Sequence, residues 1–397
     1  MEFLTDFPES EYITRQDKAK QLMAKTNIDA LLITAGENLR YFCGFTSMTR
    51  CRPSFLLLPQ RASPTLVVQE NNKYNAALFS CVKDIRSYMG LVSSKPGSYI
   101  ELLIEVFQEL GLDKQRVAAE LGYEQRMDIP YEDFVRLERE SGMSFIDSSE
   151  IIWALRMTKS KKEILCLRKA CEIMGKAYEK CFSDAKEDMG ESDVATLLQI
   201  QMMELGADGS GFVVFNSGLR SPGFRKGEQR PHTHALMTGP PTDKKITKGD
   251  TLWIDAGCTY KGYWSDFSRM AVVGKPSGSQ KRMHRLICDV TEKCVRAVKP
   301  GVTASKIVNV CNNELKRKGI GVSFEDGRIG HGVGLLVTEP PHIAPYDTTS
   351  LGPGMVITIE PGIVTDYGVF HVEENVLVTK DGYEVLSTAN RELRIIN

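Results

Sequence analysis

Residues 251–270 read TLWIDAGCTYKGYWSDFSRM. An apolar run carries Asp255, a glycine-bounded turn follows, and a second apolar run opens after Asp266. The two acids are eleven residues apart with Gly257 and Gly262 between them, which fits adjoining strands whose turn brings both side chains to one pocket. The pattern recurs downstream. GMVITIEPG (354–362) carries Glu360, and GVFHVEENVLV (368–378) carries Glu373 thirteen residues later, with Gly362 and Gly368 between. GRIGHGVG (327–334) sets His331 between glycines, which let a backbone approach a ligand closely. Any one of these acids alone reads equally well as a strand end or a solvated edge residue. Together they are more specific, because each interrupts an apolar run where burial is expected, and buried charges need partners or metals. Four converging carboxylates would raise one another's pKa unless cations were bound. Asp255, Asp266, His331, Glu360 and Glu373 therefore read as a two-metal hydrolytic site, in which paired ions lower the pKa of a bridging water and clamp the substrate oxygen.

Outward from this core, TLWIDAG, GYWSDFSRMAVV, MVITIEPGIV and GVFHVEENVLVT read as strands paired through turns. The helices are segregated from them. Ser160 with Glu163 fits a capping box and opens a long helix through about Ser183. Ser192 is the expected cap of a helix to Gly206, a third helix spans Gln280–Val298, and Thr303 opens a fourth that Gly319 stops. Strands and helices so separated predict an α+β catalytic domain on an antiparallel sheet, over 156–397. Upstream, a helix at Asp17–Thr26, the apolar runs IDALLIT, FLLLP and TLVV, a helix at Tyr99–Leu110, and the strands RVAAELG and MSFID alternate. They predict a smaller α/β domain over 1–155. The boundary falls near MTKSKKEI.

The bulk composition excludes several classes. The chain has 397 residues, 42% hydrophobic and 25% charged, which is ordinary for a globular protein and rules out a disordered or collagen-like chain. A net charge of −1 gives no electrostatic reason to expect nucleic acid or an anionic membrane as partner. No apolar run reaches the roughly 18 residues of a transmembrane helix. MEFLTDFPESEY is acidic and lacks an apolar stretch, so it does not read as a secretory signal, and a cytoplasmic location is expected. The ten cysteines form no C-x-x-C pair and are expected to be reduced, with Cys258 a small residue filling a turn.

IDAGCTYKGYWSDFSR, GHGVGL, EPP and GMVITIEPG resemble the metal motifs of the pita-bread metallopeptidase family (M24), which includes Xaa-Pro dipeptidases, aminopeptidase P and methionine aminopeptidase, with creatinase as a non-metal cousin. The resemblance runs through nearly the whole chain. It implies a pita-bread catalytic domain behind a creatinase/prolidase-type N-terminal domain. It also implies two divalent ions on Asp255, Asp266, His331, Glu360 and Glu373, with Glu360 as the acid/base group and His331 in the catalytic set. Glu373 is chosen over Glu374, which would face the other side of a strand. Oxygen-rich ligands with one His favour manganese, with zinc, cobalt or iron as alternatives.

Two departures bear on substrate. Prolidase-type enzymes carry a His eleven residues before the Gly of the K-G-D turn, where this chain has Thr238. They carry another in an H-E-x-P segment, where this chain has Thr338-Glu339. Both histidines contact substrate, so Thr238 and Thr338 mark an altered pocket. His232 and His234 in RPHTHALMTG, and His371 where relatives have Arg, can compensate, and His234 and His371 are read as substrate-binding. Arg52 in TRCRPSFLLL resembles an arginine that in creatinase reaches the substrate carboxylate in the neighbouring subunit, which implies a homodimer. The expected activity is cleavage of an amide in a dipeptide-sized or other small-molecule substrate by a metal-bridging hydroxide. The alternative is a creatinase-like C–N hydrolase or lyase with a retained metal site. Gly257 argues against the lyase version, since lyases of this scaffold add an acid there.

Overall fold

The structure, a computed structural model, describes residues 4–47, 52–89, 98–218, 227–231 and 239–397. The chain divides into two compact units, Met1–Arg156 and Met157–Asn397.

In the first unit β1 (Ala30–Ile33), β2 (Phe55–Pro59), β3 (Thr65–Gln69), β4 (Asp84–Tyr88), β5 (Arg116–Ala119) and β6 (Ser144–Asp147) form one sheet in the order β4-β3-β2-β1-β5-β6. The β1–β2 and β2–β3 pairs are antiparallel, and the remaining pairs are parallel. β1, β2 and β3 are buried along their whole length, which is why their sequences are continuous apolar runs without alternation. Helix Tyr99–Glu109 contributes Ile100, Leu103, Val106 and Phe107 to the same core. The first helix spans Glu9–Thr26, eight residues earlier than its sequence pattern indicates. Its buried stripe includes Arg15 and Gln16, whose side chains donate to the carbonyls of Tyr41 and Phe42, so polar residues disguise the core-facing side.

The second unit is α+β, as its sequence pattern predicts. Helix Lys161–Asp184 starts at the Ser160–Glu163 capping box. Helix Glu191–Glu204 is capped at Gly190, not Ser192. The Gly190 N–H donates to Asp193, Ser192 turns outward to Asp243, and the buried Glu191 accepts from Ser217 and Thr242, which fixes the first turn earlier. Helices Gly278–Val295 and Ala304–Arg317 supply much of the second core, with Ile287, Val290, Ile307 and Leu315 against Trp253, Ile357 and Val376.

The strands are β7 (Phe212–Ser217), β8 (Gln229–Pro231), β9 (Thr251–Gly257), β10 (Thr259–Tyr260), β11 (Tyr263–Trp264), β12 (Phe267–Val273), β13 (His331–Gly332), β14 (Glu339–His342), β15 (Val356–Ile359), β16 (Gly362–Thr365), β17 (Gly368–His371), β18 (Glu374–Val378), β19 (Tyr383–Val385) and β20 (Arg394–Ile396). Three of the sheets run β20-β12-β9-β7, β14-β13-β15-β18-β19 and β17-β16-β8. Among them only the β12–β20 pair is parallel. MVITIEPGIV and GVFHVEENVLVT, each of which reads as one strand, are each two. β15 pairs with β18 in one sheet and β16 with β17 in another, so the hairpin changes sheets at Glu360-Pro361 and at Val372-Glu373. Pro361 has no N–H to continue a ladder, and the break falls beside it.

Candidate metal centre

The sheet changes place the acids. Glu360 and Glu373 sit at the two points where the hairpin leaves one sheet for the other, and their carboxylates come within 4.8 Å of each other. Asp255 lies near the end of β9, opposite Ser268 of β12, and Asp266 immediately precedes β12. Asn375 fixes Asp266 through its backbone. Its amide donates to the Asp266 carbonyl at 2.5 Å and accepts from the Asp266 N–H at 3.0 Å, as a neighbouring strand would. The short strand β13 presents His331, whose N–H donates to Thr358 Oγ1 at 3.2 Å. A Cβ at Gly330 would come within 2.1 Å of the Thr358 carbonyl, and one at Gly332 within 2.3 Å of that of Pro340, so only glycines let the chain pass there.

These groups converge. His331 Nε2 lies 3.4 Å from Asp266 Oδ2 and 3.6 Å from Glu360 Oε1. Ligand atoms of Asp266, His331 and Glu373 all lie within 4.8 Å of one another, as do those of Glu360, His371 and Glu373. Asp266, His331, Glu360 and Glu373 are buried, and Asp255 keeps slight exposure with Oδ1 enclosed. Among the described residues, Asp255 Oδ1 and both carboxylate oxygens of Glu373 receive no hydrogen bond. Burial, reinforced by Glu360, pushes the Asp255 carboxyl up to about 6. Burial and the neighbouring carboxylates push Asp266 and Glu373 well above the usual carboxylate range. Burial drives His331 down to about 4, so its imidazole is neutral at physiological pH. Enclosed carboxylate oxygens without donors, beside a neutral imidazole, are a cage for cations: a divalent ion satisfies the oxygens and removes the repulsion that raises their pKa.

Two comparisons decide the family. Residues 165–380 match the model of metallopeptidase family M24, and residues 15–158 match that of the creatinase/prolidase N-terminal domain. The chain belongs to family M24. It is 31% identical over 379 residues to an Xaa-Pro dipeptidase of Pyrococcus horikoshii, covering 95% of this chain and 97% of that protein. The crystal structure of a P. horikoshii prolidase superposes with a TM-score of 0.81 at 30% identity, over 96% of this chain and 99% of the other. An Xaa-Pro dipeptidase structure from Bacillus anthracis gives 0.83 at 26% identity, over 97% and 100%. The chain is thus a metallohydrolase of the M24 type with a metal-binding site in its second unit, and the creatinase-like alternative is not favoured.

The remaining M24 candidates fall differently. His232, His234 and Thr238 lie outside the described residues. Thr338 is half-buried in the loop before β14, next to Glu339, which is held in a buried ion pair with Lys159 at 3.4 Å. Arg52 is half-buried in the first unit. His371 is completely enclosed within the acid cluster, with Nε2 3.5 Å from Glu360 Oε2. Glu374 points away from the site and pairs with Arg269 at 3.1 Å and with Arg391 at 2.5 Å. Three residues near the site escaped the sequence reading. Arg328 Nε is 4.0 Å from Glu360 Oε1 and donates through Nη1 to His342 Nδ1 at 3.3 Å, and His342 is the cross-strand partner of His331. Asn375 is the third. GRIGHGVG and EPPH carry the first two in plain view, but only the β13–β14 register shows that they meet.

Proposed function

We propose that this protein is a dinuclear Xaa-Pro dipeptidase. The observation that carries the reading is the enclosed set of four carboxylates and one neutral imidazole, with three carboxylate oxygens lacking any donor. Asp255, Asp266, His331, Glu360 and Glu373 would hold two divalent ions, and the predominance of oxygen donors favours manganese. When bound, paired ions supply an activated water and polarise the scissile carbonyl. The chain's own groups do the rest. Asp255 and Glu373 must be ionised to act, which their burial opposes until positive charge arrives. Glu360, whose side chain is 11% exposed, would carry a proton to the leaving nitrogen. The substrate class is supported by Xaa-Pro dipeptidase relatives that match along the whole chain. Arg52 is a candidate contact for the substrate carboxylate of the neighbouring subunit in a homodimer.

The test is turnover of Xaa-Pro dipeptides by protein that has been stripped with chelator and reloaded with manganese or cobalt. Hydrolysis that returns with two equivalents of metal per chain supports the reading. Full reloading with no turnover of any Xaa-Pro dipeptide sinks the substrate assignment. Saturation at one equivalent sinks the dinuclear one.

A further inference from the structure

Helix Lys161–Asp184 supplies none of the candidate ligands, yet one of its faces is bonded to the backbone that carries two of them. Cys171, Gly175 and Tyr178 lie on that face, because residues four and seven apart stack along a helix, and all three are buried. At one end of the face, the Tyr178 hydroxyl lies 3.0 Å from the Ile254 carbonyl and 2.8 Å from the Phe267 carbonyl. Carbonyl oxygens only accept, so the hydroxyl donates and its one proton is shared between them. Ile254 immediately precedes Asp255, and Phe267 immediately follows Asp266. A single buried group thus ties β9 to β12 at the residues next to both aspartates.

Two turns away on the same face, Cys171 Sγ donates to Asn375 Oδ1 at 3.2 Å. That oxygen also accepts from the Asp266 N–H, while Asn375 Nδ2 donates to the Asp266 carbonyl. Flipping the amide would set a donor against a donor and an acceptor against an acceptor, so the Asp266 backbone itself fixes which atom faces the thiol. Between the two ties the helix comes close to its neighbour: a Cβ at Gly175 would fall 2.0 Å from Thr388 Oγ1, and that hydroxyl donates to the Cys171 carbonyl at 3.2 Å. Cys258, three residues past Asp255, donates back through Sγ to the Ala170 carbonyl at 3.5 Å.

We propose that Tyr178 and Cys171 are positioning residues of the metal centre: from one buried helix face they hold the backbones of Asp255 and Asp266 at the placement that metal binding requires. The inference rests on the reading of these two aspartates as ligands. Repulsion among the enclosed carboxylates acts to spread the strands that carry them. Hydrogen bonds from a packed helix to the peptide groups beside the aspartates oppose that spreading. Both donors are neutral, which suits the task. A Lys or Arg in either place would bring the positive charge that the ions are to supply, and would compete with them. The donors also leave every carboxylate oxygen of the two aspartates alone, because they act on backbone carbonyls and on the Asn375 amide.

The test uses chelator-stripped protein, with manganese affinity read by calorimetry and coordination geometry read from the visible absorption of the cobalt-loaded form. Tyr178→Phe removes only the hydroxyl. It should weaken manganese binding roughly 10- to 100-fold at unchanged stoichiometry, and shift the cobalt spectrum. Cys171→Ala should weaken binding roughly 10-fold, and Cys171→Ser, which keeps a donor, should recover most of that loss. Phe182→Leu is the control for helix packing, since Phe182 stacks on Tyr178 with ring centroids 5.7 Å apart and its side chain has no donor. It should lower Tm while keeping the manganese affinity and the cobalt spectrum of wild type. Wild-type affinity in Tyr178→Phe overturns the proposal, as do equal losses in Cys171→Ala and Cys171→Ser. A loss in Phe182→Leu as large as that in Tyr178→Phe overturns it too, because the effect would then be one of packing. If Tyr178→Phe fails to fold, the Cys171 pair decides. Every readout is metal binding, so an absence of Xaa-Pro cleavage falls on the functional reading alone and leaves these outcomes standing.

Discussion

Asp255→Asn should stabilise the metal-free protein, and should do so more as pH rises. Burial holds the Asp255 carboxyl at about 6 in the fold against an unfolded value of 3.8. The folded state therefore binds a proton more tightly than the unfolded one, and stability from this group is fully present below about pH 4 and lost as pH rises through about 6. A displacement of about two pH units corresponds to about 3 kcal/mol at 1.36 kcal/mol per unit, and the slight exposure of Asp255 trims this to about 2–3. For a unit of this size each kcal/mol moves Tm by roughly 2–4 °C, so the difference in Tm between Asp255→Asn and wild type should widen by roughly 4–12 °C between pH 4 and pH 8. The assay is thermal unfolding of chelator-stripped protein across that range at fixed ionic strength. Taking the difference between variant and wild type cancels the carboxylates outside the cluster, and the relief of Asp266 and Glu373 adds to the gain in the same direction. Saturating manganese should narrow the difference at pH 8, since ligand at about 100 times its Kd stabilises wild type by about 2.7 kcal/mol and the variant, missing a donor oxygen, by less. A pH-independent difference, or a variant that loses ground to wild type as pH rises, would refute the claim that Asp255 is a carboxylate held against its own ionisation.

Neighbouring acids should separate cleanly into roles. Glu373→Gln should abolish the manganese-induced rise in Tm with the fold intact. Glu374→Gln should keep metal binding but lose about 3–5 kcal/mol in urea unfolding, because it leaves the buried Arg269 charge without its partner. Asn375→Leu should weaken manganese affinity 10- to 100-fold by calorimetry, since it frees both backbone groups of Asp266. In the first unit, Glu120→Ala should cost about 3 kcal/mol or more by denaturant titration. It strands the buried N–H groups of Thr34 and Ala35 and the Asn38 amide, each worth about 1–3 kcal/mol when unsatisfied.

The five candidate ligands were legible because burial and charge conflict at the acids among them, and a linear pattern shows that conflict. The long helix from Lys161 was legible because a capping box is a local signal four residues long. What escaped depends on partners far away in the chain. The local signal for Gly190 over Ser192 as a cap is weak, a single acid three residues on at Asp193. The outcome is set by Glu191, whose carboxylate is anchored by Ser217 and Thr242. The strand breaks at Glu360 and Glu373 were hidden for a similar reason: both flanking segments are apolar, and a change of sheet leaves no mark in hydropathy. The enclosure of His371 was hidden too, because Trp253, which donates to its Nδ1, lies 118 positions away inside a strand that reads as core.

Those breaks explain how the fold tolerates four enclosed carboxylates. A residue in mid-strand has its side chain directed by the pleat and its backbone committed to two neighbours. Glu360 and Glu373 are released from that constraint where the hairpin changes sheets, so both can aim at one point although they belong to different strand pairs. Their surroundings remain rigid, because β15 with β18 and β16 with β17 continue on either side as buried, paired strands. The backbone at the break is still satisfied, with the Glu360 N–H donating to the Ile329 carbonyl at 2.8 Å. The electrostatic cost is therefore confined to side-chain oxygens, where a cation can cancel it, and does not fall on buried peptide groups, which no ligand could rescue. A centre built this way couples metal loading to stability, while the core around it is built from apolar residues that are not themselves candidate ligands.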